Sequence, residues 1–248
     1  MSNAAARPLQ PSLVERMGDL LRRTTYRRAE TDEDREAIYR LRYAAYLDEG
    51  AIKPDFSRRL TDRYDDSDNG WIIGVHVDGQ LVSSMRIHVA NQDYPEMVAT
   101  DVFPDEVKPL IAAGKTIVDP TRFVADPGPA GAIPEMAYLT VRVGHMAAEL
   151  FQADIVLATV RSEHQAFYRR VFGHTVLAPP RPYLTLTKPL SLMVLDYPAE
   201  RDRILRRYPF FASTPAERAG LFGNPLGIEP AIDHRHPVAA NDEAALAS

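Results

Sequence analysis

Three arginines and three aspartates in the first half of the chain fall within apolar or aromatic stretches. Arg42 and Tyr46 belong to Leu41-Arg-Tyr-Ala-Ala-Tyr46, and Asp65 and Asp68 to Arg63-Tyr-Asp-Asp-Ser-Asp68. Arg86 interrupts Leu81-Val-Ser-Ser-Met-Arg-Ile-His-Val89, while Asp119 and Arg122 lie in Val118-Asp-Pro-Thr-Arg-Phe-Val124. Charges at the ends of buried elements are costly unless paired, so these six are expected to form one ion-pair and hydrogen-bond network. Two chemistries suit it: ion pairs that tie helix to sheet, and a carboxylate held where it can take a proton.

The elements that must position them follow from pattern. Leu13, Met17, Leu20 and Leu21 mark an amphipathic helix over Pro11 to Arg23. Thr31 is placed to cap a helix running to about Asp48, with Asp32, Glu33 and Asp34 in its first turn. Trp71 to Val77 and Gln80 to Val89 read as strands joined by Asp78-Gly79, a hairpin signal. A short helix is expected near Pro104 to Ala113 and a strand over Thr116 to Val124. A helix opened by Pro134 should run through Phe151, and a buried strand over Asp154 to Val160. Ser162 caps a short helix that Gly173 ends. Strands near Tyr183 to Thr187 and Leu190 to Asp196 follow, then two helical pieces over 199–222 separated by prolines. This order predicts an α/β fold, a mixed central sheet with helices on both faces. The expected division is a segment and helix over 1–24, one domain over 25–228 and a disordered tail over 229–248.

Composition narrows the class. The chain has 248 residues, a net charge of −5 and no cysteine. Disulfides, thiolate metal sites and a cysteine nucleophile are excluded, and a nucleic-acid partner is not expected of an acidic chain. No apolar run is long enough to span a membrane, and the N-terminus lacks the apolar core of a secretory signal, so a cytoplasmic location is expected. His234 and His236 are too few for a metal site, and no metal is expected.

The order Arg42-x-x-x-Tyr46, Asp65-x-x-Asp68, Arg86 within a strand, Asp119-x-x-Arg122-Phe123 resembles that of acyl-homoserine-lactone synthases. Ala166-Phe-Tyr-Arg-Arg-Val-Phe-Gly173 looks like the end of a GNAT acyltransferase domain. Over roughly residues 25–200 the chain most resembles long-chain N-acyl amino acid synthases of the FeeM type. It departs from the lactone synthases in carrying Asp119 for a glutamate and Ile52 where they have an aromatic residue. The acetyl-CoA loop survives only as the poor match Val141-Arg-Val-Gly-His-Met-Ala147.

The resemblance implies a GNAT-like N-acyltransferase that moves a long-chain fatty acyl group to the α-amine of an amino acid. The donor would be acyl-phosphopantetheine on acyl carrier protein, or acyl-CoA, with no bound cofactor. The alternatives are an acyl-homoserine-lactone synthase, a lysine or ornithine acyltransferase, or an inactive protein of this fold that binds lipid or carrier protein. Without a cysteine or a Gly-x-Ser-x-Gly elbow, direct attack by the amine is the simplest route. Asp119 is the candidate base and Tyr168 the candidate acid for the leaving thiolate. Arg42, Tyr46, Asp65, Asp68, Arg86 and Arg122 are candidate substrate-binding residues. Met136, Leu139, Val143 and Met146 recur at helical spacing and could line an acyl pocket, although such a stripe also suits plain core. Arg161, Arg169, Arg170, Arg181 and Lys188 form a basic run suited to docking an acidic carrier protein.

Overall fold

The computed structural model describes residues 11–223. Ser12 and Thr31 each accept from the backbone three residues on, and Glu15 and Asp34 reach back, so capping boxes start α1 (Leu13–Arg22) and α2 (Asp32–Asp48). Between them runs β1 (Thr24–Arg28), a strand the hydrophobic pattern does not announce. Next come β2 (Gly70–Val77) and β3 (Gln80–Ala90). Their link is Asp78-Gly79, both at positive φ (50° and 81°), as a two-residue turn matched to strand twist requires.

Two short helices follow, α3 (Val98–Val102), which the sequence reading passes over, and α4 (Pro104–Ala112). The chain continues through β4 (Ile117–Ala125), α5 (Met136–Leu150), β5 (Ile155–Val160), α6 (Gln165–Phe172), β6 (Thr175–Arg181) and β7 (Leu190–Asp196). It ends in α7 (Tyr197–Arg207) and α8 (Pro215–Phe222), separated at Pro209 and Pro215 as expected. The strand expected near Tyr183 to Thr187 is instead a loop. Its place beside β7 is taken by β6, whose Pro179 and Pro180 are tolerated because it is an edge strand. The expected tail over 229–248 lies outside the described residues.

The seven strands form one sheet in the order β1-β2-β3-β4-β5-β7-β6, mixed as expected. β4 and β5 make its parallel contact, and they pair only at Ile117↔Ile155 and Val118↔Val156. Beyond Val118, β4 stays with β3 while β5 stays with β7, so the two strands splay and leave a notch in mid-sheet. One apolar core covers the face under α1, α5, α7 and α8 with Met17, Trp71, Ile73, Leu139 and Phe222. A second, around Met97, Phe103, Leu157 and Tyr183, covers the other face beneath α3 and α4.

Candidate active site

The network assembles on the α2 side of the sheet. Arg42 from α2, Arg86 from β3 and Asp65 have fully buried side chains. Asp65 sits in a short 3-10 turn, Arg63–Asp66, that Asp62 caps. Asp65 Oδ1 accepts from Arg42 Nη1 at 2.8 Å and Arg86 Nη1 at 2.9 Å, while Oδ2 accepts from Thr61 Oγ1 and the Asp62 amide. Asp62 is the member the sequence reading misses. It accepts from Arg86 Nη1 at 2.6 Å and from Arg122 Nε and Nη2 at 3.1 and 2.5 Å. Burial alone would raise both carboxyls, but Arg86 and Arg122 outweigh it at Asp62, and Arg42 and Arg86 at Asp65, holding both below the usual range. Asp68, expected in this cluster, is exposed outside it, because the chain has left the 3-10 turn before reaching it.

Asp119 also differs from expectation. It is fully buried, and neither carboxyl oxygen has a hydrogen-bond partner among the described residues. Burial lifts its carboxyl to about 7, against the pull of Arg86 and of the Ala99 backbone N–H, which approaches it from α3 without completing a hydrogen bond. Tyr183, another residue not foreseen, is buried, and its hydroxyl has no partner among the described residues. Burial first, and the charge of Asp119 second, push that phenol well above its ordinary value. Donors without a partner among the described residues also remain on the arginines: Nε and Nη2 of Arg42, Nη2 of Arg86 and Nη1 of Arg122. Three guanidinium groups thus face two ionised carboxylates and one held near neutrality, leaving positive charge for an incoming anion.

Arg122 gets its position from a bulge. Ser84 pairs with Val124 and Arg86 with Thr121, so Arg122 and Phe123 together oppose Met85, with Arg122 at φ 54°. A non-glycine residue there costs on the order of 1–2 kcal/mol, and the two hydrogen bonds to Asp62 hold it. The guanidinium lies over Tyr46, 5.6 Å from the ring centre.

The splay of β4 and β5 opens a cavity of about 460 Å³. Pro120 to Ala125 and Val156 to Val160 form its two sheet walls. On one face Tyr46, Glu49, Tyr183 and Lys188 line it, and on the other Ala137, Val141, Gly144, Phe167 and Tyr168 do. The cavity therefore passes from one face of the sheet to the other. Gly144 suits the close crossing of α5 over β4, since a Cβ there would stand 3.1 Å from Pro120 Cγ, tighter than ordinary contact. Tyr168 faces this cavity, and burial pushes its hydroxyl up to about 12. Met136, Leu139, Val143 and Met146 do not line it; they are buried in the core on another side of α5. The stripe facing the cavity is one step round the helix, at Ala137, Val141 and Gly144.

The basic run separates in space. Arg161 and Lys188 line the cavity, Arg161 paired with Glu49 and Glu163. Arg169 and Arg170 are exposed on α6. Arg181 is elsewhere, held by Glu106 of α4 and stacked over Phe103, because β6 runs along the sheet edge. Val141 to Ala147, the poor acetyl-CoA match, lies in the middle of α5 rather than before it. The helix start that could hold a pyrophosphate is occupied by Glu135, which accepts from Arg16 Nε at 2.6 Å. Among the described residues no His, Cys, Asp or Glu cluster could hold a metal, and His234 and His236 lie outside them. No helix among them is long and apolar enough to cross a membrane.

A seven-stranded mixed sheet splayed between its two parallel strands, with a through-cavity at the splay, defines a GNAT-like acyltransferase fold. The family model described as N-acyl amino acid synthase FeeM matches residues 37–196, and the chain belongs to that family. It is an acyltransferase. Among solved structures, FeeM, an N-acyl amino acid synthase from uncultured soil microbes, is 19% identical, covering 74% of this chain and 96% of its own, with a TM-score of 0.61. The acyl-homoserine-lactone synthase LasI is 14% identical over 72% of this chain and 94% of its own, with a TM-score of 0.55. The CoA-dependent lactone synthase BjaI, solved with SAM and isopentyl-CoA, is 18% identical over 72% and 83%, with a TM-score of 0.51. No curated protein matches the chain.

Proposed function

We propose that this protein, acting in the cytoplasm, transfers a long-chain fatty acyl group from acyl carrier protein to the α-amine of an amino acid. The observation that carries the reading is the cavity through the β4–β5 splay, with Arg122 at its wall and donors left over on the arginine cluster. An amino acid brings the carboxylate that such a site lacks, and Arg122 Nη1 is the donor best placed to receive it. The acceptor enters from the Tyr46 and Tyr183 face. The acyl thioester lies on the α5 and α6 face.

In the transfer the amine nitrogen attacks the thioester carbonyl, a C–N bond forms and the C–S bond breaks. The amine proton passes through an intervening water to the ionised Asp119 carboxylate, which lies behind the cavity wall, and Tyr168 gives its proton to the departing thiolate. A group held near 7 by burial is ionised in a useful fraction at neutral pH and still basic enough to accept. Arg42, Asp62, Asp65 and Arg86 position Arg122 rather than touch substrate.

Two features favour a carrier-protein donor over CoA. Glu135, paired with Arg16, puts a carboxylate rather than open amides at the start of α5, and Arg169 and Arg170 leave exposed positive charge on α6, where an acidic carrier could dock. Arg181, paired elsewhere, is left out of that surface. Mass spectrometry of lipid extracts from an overexpressing host tests the reading. N-acyl amino acids support it; acyl lactones or lyso-ornithine lipids would reassign the acceptor, and no new lipid would oppose it.

A further inference from the structure

The cavity reaches the start of the splay, beside Val156 and Pro120, where imidazole rings rather than hydrocarbon line part of its wall. His145 lines this end from α5, its ring stacked on Phe211 with centroids 4.7 Å apart and planes 15° from parallel. Its Nδ1 lies 3.4 Å from Tyr197 Oη. Tyr197 in turn donates to Glu149 Oε1 at 2.7 Å, and Arg201 fixes Glu149 through Nε and Nη2 at 2.5 and 2.9 Å. With the Tyr197 proton committed to Glu149, the phenol oxygen can only accept. His145 must then carry its proton on Nδ1 and present Nε2 as a bare acceptor. Burial keeps the ring neutral, its pKa down to about 4.

His174 lines the same cavity and points to the same chemistry. It is buried, and both ring nitrogens lack a hydrogen-bond partner among the described residues. The backbone groups its ring faces, Tyr168 and Val156, offer carbonyl oxygens. A neutral imidazole has one proton, so at least one of its nitrogens remains an acceptor without a donor. His174 thus adds an unsatisfied polar ring within this wall, while His145 is the acceptor that lines the cavity itself.

We propose that this end is a subsite for a hydroxyl group on the acyl chain, with His145 Nε2 as its principal acceptor, so that the preferred donor is a hydroxyacyl rather than an unsubstituted chain. This rests on the cavity being the donor site. An unsubstituted chain would strip water from His145 and return no hydrogen bond, whereas a chain hydroxyl donates to Nε2. Leaving a buried acceptor unmet costs enough to discriminate on the order of tenfold.

The test is calorimetric binding, to the full-length protein, of one long-chain fatty acid and its positional hydroxy isomers of equal length. At least one isomer should bind on the order of tenfold tighter than the unsubstituted acid. His145→Phe keeps the stack on Phe211 but removes the acceptor, and should bring that ratio to about one by tightening the unsubstituted acid. If His145→Phe does not fold, Tyr197→Phe, which frees the imidazole to carry its proton on either nitrogen, should shrink the ratio severalfold. An unsubstituted acid that binds as tightly as every isomer, or a preference that survives in the variant, overturns the hydroxyl subsite and leaves the transfer reading standing. If no chain binds, the cavity is not the donor site and both readings fall.

Discussion

Replacing Asp65 by asparagine probes the arginine cluster with the least change in volume. All four groups that contact the carboxylate are donors: Arg42 and Arg86 at Oδ1, Thr61 and the Asp62 amide at Oδ2. Asparagine offers one oxygen and one amide nitrogen, so whichever way it turns, a donor faces a donor. Charge is lost as well, leaving Arg42, Arg86 and Arg122 to share Asp62. The Arg42–Asp65 pair has 0% side-chain exposure on both partners, which places it with buried pairs rather than surface ones worth under about 1 kcal/mol. Breaking a buried pair on one side costs about 3–5 kcal/mol, or roughly 6–20 °C in Tm for a domain of this size. Thermal melts by circular dichroism at neutral pH should show that drop. Both carboxyls are depressed in the folded state, so their stabilisation is present above the unfolded carboxylate range near 4 and is lost as pH falls through the folded values. The gap between wild type and Asp65→Asn should therefore close in acid. A variant melting within about 2 °C of wild type at neutral pH would refute the buried network.

Asp119→Asn removes the base and should lower turnover on the order of 10²–10⁴-fold, while the wild-type rate rises through about pH 7 as the carboxyl ionises. Because its folded pKa is raised, wild-type stability should fall by about 1.4 kcal/mol per pH unit between the unfolded and folded values, and Asp119→Asn should melt without that slope. Tyr168→Phe should reduce kcat by about 10²-fold with little change in the donor KM, as expected if only the acid is lost; an unchanged kcat would place the proton source elsewhere. Charge reversal of Arg169 and Arg170 to glutamate should raise KM for acyl carrier protein and flatten its salt dependence, and an unaltered KM would move the docking surface off α6.

Much of the site is legible in the sequence because buried charges stand out against apolar strands. Arg42, Asp65, Arg86 and Arg122 meet as their spacing suggests. Asp62 escapes because Asp65-x-x-Asp68 is the more conspicuous pair, yet Asp62-x-x-Asp65 carries the capping-box spacing that turns both acids inward. Periodicity fails on α5 since that helix is buried nearly all round, so its stripes cannot be ranked by hydrophobicity alone. Tyr183 sits in a loop whose apolar run imitates a strand, while the real edge strand is disguised by two prolines. The basic run divides because residues close in sequence are sent to different faces by β6. The bulge at Arg122 follows from strand register, which no local pattern reveals.

Acyl transfer to an amino acid is tested most directly by incubating the purified protein with long-chain acyl carrier protein and a mixture of free amino acids, and measuring amide product and released carrier thiol together. An N-acyl amino acid should form in one-to-one ratio with free thiol, with little of either in Asp119→Asn. Thiol released without amide, or no reaction while an acyl-CoA donor is accepted, would contradict this reading.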